Sequence, residues 1–137
     1  MGITYKKNHT VSGEQFIALL KHSNLAQRRP IDDLVCLQGM LDHANLTITA
    51  WDADKLIGIA RCVTDFHYAC YLSDLAVDET YQKQGIGKQL QIDVQNSLNE
   101  KCKLILISAP SANAYYEHIG FTRNERCWVL QRNESIE

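Results

Sequence analysis

The stretch Leu75-Ala-Val-Asp-Glu-Thr-Tyr-Gln-Lys-Gln-Gly-Ile-Gly-Lys-Gln-Leu90 constrains this chain more than any other. An apolar strand passes through a polar turn and a glycine pair into an amphipathic run. Ile86, Leu90, Val94 and Leu98 share one helical face of that run. Such a segment needs a sheet for its strand and a face of that sheet for its helix. The turn Gln84-Gly85-Ile86-Gly87 aims several backbone N–H groups at one point, where the positive end of the helix lies. Side chains in place of Gly85 and Gly87 would keep a ligand off the main chain. The pattern predicts a phosphorylated ligand held by backbone.

Two common phosphate-binding loops do not fit. A P-loop needs an earlier glycine and Ser or Thr after Lys88, where Gln89 stands. A dinucleotide fingerprint needs a small third residue where Leu90 stands, and a tighter link from the strand. Gln82-Lys83-Gln84-Gly85-Ile86-Gly87 instead resembles the acyl-CoA pyrophosphate loop of the GNAT superfamily of N-acetyltransferases: Gln or Arg, two residues, Gly, one residue, Gly or Ala.

A second motif follows at a matching distance. Lys103-Leu-Ile-Leu-Ile107 is a short continuous apolar run that reads as a buried strand. Pro110-Ser111 offers a break and a helix N-cap. Asn113, Tyr115 and the string Tyr116-Glu-His-Ile-Gly-Phe121 come next, and Gly120 suits the left-handed position that stops a helix. Members of the superfamily carry a similar helix ending in Tyr-x-x-x-Gly-Phe.

Composition narrows the function classes. The 137 residues suffice for one domain, residues 1–137, with its own core. An apolar share of 45% and a charged share of 22% are ordinary for a globular protein. A net charge of −2, with no basic block beyond Arg28-Arg29, gives no nucleic-acid footprint. No apolar run approaches a membrane span and no leader is recognised, so a cytoplasmic location without membrane attachment is expected. Cys36, Cys62, Cys70, Cys102 and Cys127 lack metal or disulfide spacing, and the expectation is buried reduced thiols with no metal site.

The remaining elements follow from local pattern. Ile3 to Lys7 reads as a strand, and Ser12 with Gln15 as a capping box opening a helix through Leu20. Arg28-Arg29-Pro30 breaks the chain before a second helix through Leu34, Val35, Leu37 and Leu41. Leu46–Trp51 and Leu56–Val63 alternate around the Asp52-Ala-Asp54 turn as a hairpin. Ala69–Val77 reads as a strand, and Phe121–Gln131 as a last strand or hairpin.

That order is similar to the whole superfamily core. The resemblance implies an α+β fold: a mixed, mostly antiparallel central sheet flanked by helices, its fourth and fifth strands splayed at a bulge. It also implies acetyl-CoA as cosubstrate, paired with the main chain of Leu75, Ala76 and Val77 and held by Gln82, Lys83, Gln84, Gly85, Ile86, Gly87 and Lys88, with Asn113 beside the pantetheine. Tyr116 is the implied acid for the departing thiolate. Asp74 and Asp65 are candidate bases, with a water chain as the alternative. Arg28 or Arg29 could hold an anionic group of the acceptor, a small-molecule or peptide amine. Homodimerisation, common in the superfamily, would draw on Cys127-Trp-Val-Leu130. A CoA-binding sensor and an acyltransferase for longer acyl chains remain open beside the N-acetyltransferase.

Overall fold

Apolar patterning up to Ile105 is resolved into a five-stranded sheet. The computed structural model describes residues 2–137, which divide into a unit ending at Ile107 and a second unit, Ser108–Glu137. In the first unit β1 (Thr4–Lys7), β2 (Leu46–Asp52), β3 (Lys55–Thr64), β4 (Ala69–Val77) and β5 (Lys103–Ile105) lie in sequence order. The first four strands pair antiparallel, and β4 with β5 parallel. The mixed, mostly antiparallel sheet is thus as the sequence predicts.

Helices α1 (Gly13–Lys21), α2 (Leu34–His43) and α3 (Ile86–Asn96) cover this sheet. Phe16, Leu19, Leu20 and Leu37 of α1 and α2 pack with Trp51, Leu56, Ile59 and Ala76. Ile86, Leu90 and Val94 of α3 pack with Leu46, Ile48, Ala50, Cys62 and Leu72. Each of the three α3 side chains is essentially buried and contributes roughly 1.5–3 kcal/mol through removal from water. Gly58 lets α3 approach closely. A Cβ there would lie 3.2 Å from Leu90 Cδ1 and 3.3 Å from both Ala50 Cβ and Ile86 Cγ2.

Helix starts follow local chemistry. Ser12 Oγ accepts from Gln15 N–H, and Gln15 Oε1 accepts from Ser12 N–H, completing the predicted capping box on α1. Asp33 caps α2 by accepting from Cys36 N–H at 3.0 Å.

Two features around β4 position the site. The register passes from Arg61↔Asp74 to Cys62↔Leu72, leaving Ser73 as an extra residue on β4. On its other side β4 meets β5 only over Ala69, Cys70 and Tyr71, opposite Lys103, Leu104 and Ile105. From Leu72 to Val77, β5 leaves that edge of β4 uncovered.

The second unit contains a 3-10 turn (Pro110–Ala112) and α4 (Asn113–His118). Gly120, at φ +111°, terminates α4 through paired bonds: Gly120 N–H to Glu117 O at 3.2 Å and Phe121 N–H to Tyr116 O at 2.9 Å. Three expectations are corrected here. Ser111 is not the cap of α4. It lies inside the 3-10 turn, and Ala112 occupies the N-cap position without a side-chain bond. Phe121–Gln131 forms neither strand nor hairpin: the Asn124 side chain accepts from Arg126 N–H in a turn, and the segment pairs with no strand among the described residues. Cys62 and Cys70 are buried, but Cys36 and Cys127 are exposed thiols.

Candidate active site

The start of α3 differs from those of α1 and α2. Its N-cap is Gly85, in the left-handed conformation (φ +79°, ψ 10°), with no side chain to cap the helix. The first intrahelical bond runs from Gln89 N–H to Gly85 O at 3.0 Å, so the N–H groups of Ile86, Gly87 and Lys88 have no partner inside the helix. A capping Ser or Asp would have consumed one of them. A Cβ built on Gly85 would meet nothing within 4 Å, so the backbone there faces open space. Lys83 is left-handed too, at φ +64°, a feature the sequence does not announce. Gln82, Lys83, Gln84 and Lys88 are exposed around this turn, and Ile86 is buried in the core beneath it. The arrangement fits an anion bound by main chain, as a diphosphate would be.

The link from β4 into this turn is firmly held. Asp78 N–H donates to Ile57 O at 2.8 Å, and Asp78 Oδ1 accepts from both the N–H and the hydroxyl of Thr80. Burial pushes the Asp78 carboxyl up, but the Thr80 donors and the Lys55 ammonium, 3.6 Å away, outweigh it and hold the group below its ordinary value. Tyr81 donates its hydroxyl to Asp52 Oδ2 at 2.6 Å, tying the turn to the β2–β3 hairpin. Gln82 Nε2 donates to Val77 O at 3.2 Å.

Leu75, Ala76 and Val77 pair with Ala60, Ile59 and Gly58. In an antiparallel ladder, successive residues alternate between bonding the neighbour and pointing away. The Asp78 N–H bond to Ile57 sets that phase, so Leu75 and Val77 turn their main-chain groups to the edge that β5 leaves uncovered. Ala76 is buried and serves the core.

The two candidate bases have very different surroundings. Asp74 is buried at 1% exposure, with one carboxylate oxygen on Arg29 Nε and the other on Arg61 Nε. Both oxygens are bound to fixed cations, which leaves none aimed outward as a proton acceptor. Asp65 is exposed after β3, and its Oδ1 accepts from the N–H groups of Tyr68 (2.8 Å), Ala69 (3.1 Å) and His67 (3.0 Å). Those three donors hold its carboxyl down at about 2.

Arg29 is drawn into the Asp74 cluster and is only 21% exposed, whereas Arg28 stands free on the surface. Sequence reasoning missed Arg61 and Ser73. A signal existed: an arginine inside the apolar run Leu56-Ile-Gly-Ile-Ala-Arg-Cys-Val63 must find a carboxylate when buried, and Asp74 sits at the matching place on the next strand.

In the second unit Tyr116 is half-buried. Its ring lies edge-on to Phe121 (centroids 5.5 Å) and to Tyr115 (5.2 Å). Burial, with a smaller effect of Tyr115, pushes its phenol up, so the hydroxyl keeps its proton at neutral pH. Asn113 is exposed, with Oδ1 accepting from Ser108 Oγ at 2.9 Å. Among the described residues no group of His, Cys, Asp and Glu could hold a metal ion, and no helix is long and apolar enough to cross a membrane.

Known proteins resemble this chain in sequence and in fold. Residues 20–129 match the family model described as an acetyltransferase (GNAT) domain. The uncharacterised N-acetyltransferase ycf52-like of Prochlorococcus marinus is 32% identical over 109 residues, which cover 73% of this chain and 59% of that protein's length. N-alpha-acetyltransferase 30 of Saccharomyces cerevisiae is 28% identical over 148 residues, covering 98% and 84%. Among solved structures, the aminoglycoside N-acetyltransferase AAC(6')-Iy in complex with CoA superposes with a TM-score of 0.70 at 20% identity, covering 96% of this chain and 95% of that one.

Proposed function

The chain belongs to the GNAT acetyltransferase family, and from that premise we propose that it is an acetyl-CoA-dependent N-acetyltransferase acting on a primary amine of a small molecule or peptide. The observation that carries the reading is the uncapped, left-handed start of α3 at Gly85, inside the sequence Gln82-Lys-Gln-Gly-Ile-Gly87. A ligand with a diphosphate would complete the N–H groups of Ile86, Gly87 and Lys88, with Lys83 and Lys88 adding positive charge. The pantetheine arm would take the uncovered edge of β4 as an added strand, bonding Leu75 and Val77.

Acetyl transfer requires a neutral amine, a polarised thioester carbonyl and a proton for the thiolate. Main-chain N–H groups next to the Ser73 bulge would polarise the carbonyl. The Tyr116 hydroxyl, protonated at neutral pH, would supply the proton to the departing sulfur, a role assigned from its motif. Asp74 serves to hold the strand and Asp65 to shape the β3–β4 turn. The amine then loses its proton to water.

The decisive experiment is thiol release from acetyl-CoA with a panel of acceptors: aminoglycosides, polyamines, free amino acids and peptide N-termini. Release with at least one of these, stoichiometric with acetylated amine, is the expected result. Acetyl-CoA binding without turnover on any acceptor would replace the enzyme by a CoA-binding sensor.

A further inference from the structure

Ser73 and Asp74, adjacent on β4, receive four hydrogen bonds from two arginines on different elements. From the loop between α1 and α2, Arg29 places Nε on Asp74 and Nη2 on Ser73 O at 2.8 Å; its Nη1 donates to Arg28 O, also at 2.8 Å. From β3, Arg61 places Nε on the other oxygen of Asp74 and Nη2 on Ser73 Oγ at 2.8 Å, while Nη1 donates to Met40 O of α2 at 3.0 Å. Asp74 and Arg61 are buried, and the Arg29 side chain is 21% exposed.

Such a cluster is a poor source of stability, because desolvation offsets most of the attraction between buried charges. What a guanidinium supplies is direction: its planar fork fixes two acceptors at once. The acceptors here are the extra residue of a β-bulge and its neighbour. A bulge is the place where a strand can slip by one residue, and slippage would reverse which main-chain groups face the uncovered edge.

We propose that Arg29 is a positioning residue: by gripping Ser73 and Asp74 from the α1–α2 loop, it fixes the bulge and so the aim of the Leu75 N–H at the uncovered edge of β4. Its kinetic consequence rests on the N-acetyltransferase reading above; its structural consequence rests on the geometry alone. Arg29 touches no reacting atom. It couples the loop to the strand edge, so that displacement of the loop is felt at the thioester.

The test uses Arg29→Lys, which keeps a charge beside Asp74 but cannot form the fork, and Arg29→Gln, which removes that charge while Arg61 still pairs with Asp74. Amide ¹H–¹⁵N spectra and steady-state kinetics are recorded for both. In Arg29→Lys the amide signals of Ser73, Asp74 and Leu75 are expected to move while those of α3 stay. The expected kcat loss is about ten- to a hundredfold, with the KM for acetyl-CoA changed by less than about threefold. Arg29→Gln shows the same pattern to a greater extent, and decides the matter if Arg29→Lys fails to fold. Unmoved β4 amides, an unchanged kcat, or a parallel loss of kcat and acetyl-CoA affinity would overturn the proposal. A wild-type protein that binds no acetyl-CoA would remove the enzymatic reading instead, and the amide spectra would still judge the grip on the bulge.

Discussion

Phe121 donates its N–H to the Tyr116 carbonyl at 2.9 Å, and its ring meets the Tyr116 ring edge-on at 5.5 Å. One residue pair therefore closes α4 twice, by main chain and by side chain, as a glycine-terminated helix requires. The consequence is a phenol whose ring orientation is held by packing while its hydroxyl needs no part in that packing.

Tyr116→Phe is accordingly expected to fold normally, because the ring contacts with Phe121 and Tyr115 remain. Turnover with acetyl-CoA should fall roughly 10²–10⁴-fold if the hydroxyl protonates the thiolate, with acetyl-CoA binding by calorimetry preserved. Wild-type turnover would remove Tyr116 from the chemistry.

Substitutions at Gly85 separate conformation from ligand access. Gly85→Ala places a Cβ on a left-handed residue and should cost about 1–2 kcal/mol in urea unfolding, since no neighbouring atom blocks it. Gly85→Glu adds a carboxylate where the diphosphate would sit, and Gly87→Glu does so without a left-handed penalty at Gly85. Acetyl-CoA is expected to raise the melting temperature of the wild type, and both Glu variants should lose that rise. A retained rise in both would contradict the cofactor site.

Gly58→Ala tests the contact between α3 and the sheet. Its Cβ would press on Leu90, Ala50 and Ile86 at 3.2–3.3 Å, and overpacking of this kind costs about 1–3 kcal/mol. Because α3 carries the proposed anion-binding N-terminus, acetyl-CoA should also bind more weakly, which titration calorimetry would detect. Unaltered stability would mean that α3 yields without cost.

Asp65 gives a pH prediction with a definite sign. Its folded carboxyl, at about 2, lies below the ordinary value of 3.8, so its contribution to stability is fully present above pH 3.8 and is lost as pH falls through 2. Asp65→Asn should therefore narrow its stability gap from wild type only in that acidic window. Between pH 5 and 9 its rate profile should parallel the wild type. Disappearance of an ionisation near neutrality in Asp65→Asn would restore this residue as a base.

Local chemistry was legible in the residues because it is settled within a few positions. The Ser12–Gln15 capping box, the hairpin around Asp52-Ala-Asp54, the glycine start of α3 and the Gly120 stop each depend on near neighbours, and each formed. Phe121–Gln131 failed as a strand for the same reason seen in reverse. An apolar run such as Cys127-Trp-Val-Leu130 cannot alone make a strand, which needs a partner edge, and none pairs with this segment among the described residues.

By itself, then, the sequence determined the local elements and the family, and it marked Gly85 as the place where a main-chain anion site is expected. Only the tertiary structure decided what Asp74, Arg29 and Arg61 do. Read singly, they are an acid on a strand and two basic residues with substrates in prospect. Placed within hydrogen-bonding reach across 45 residues of chain, the two arginines share the one carboxylate and grip the Ser73 bulge. Burial makes that pairing obligatory, because an unpaired charge there would lose its hydration without compensation.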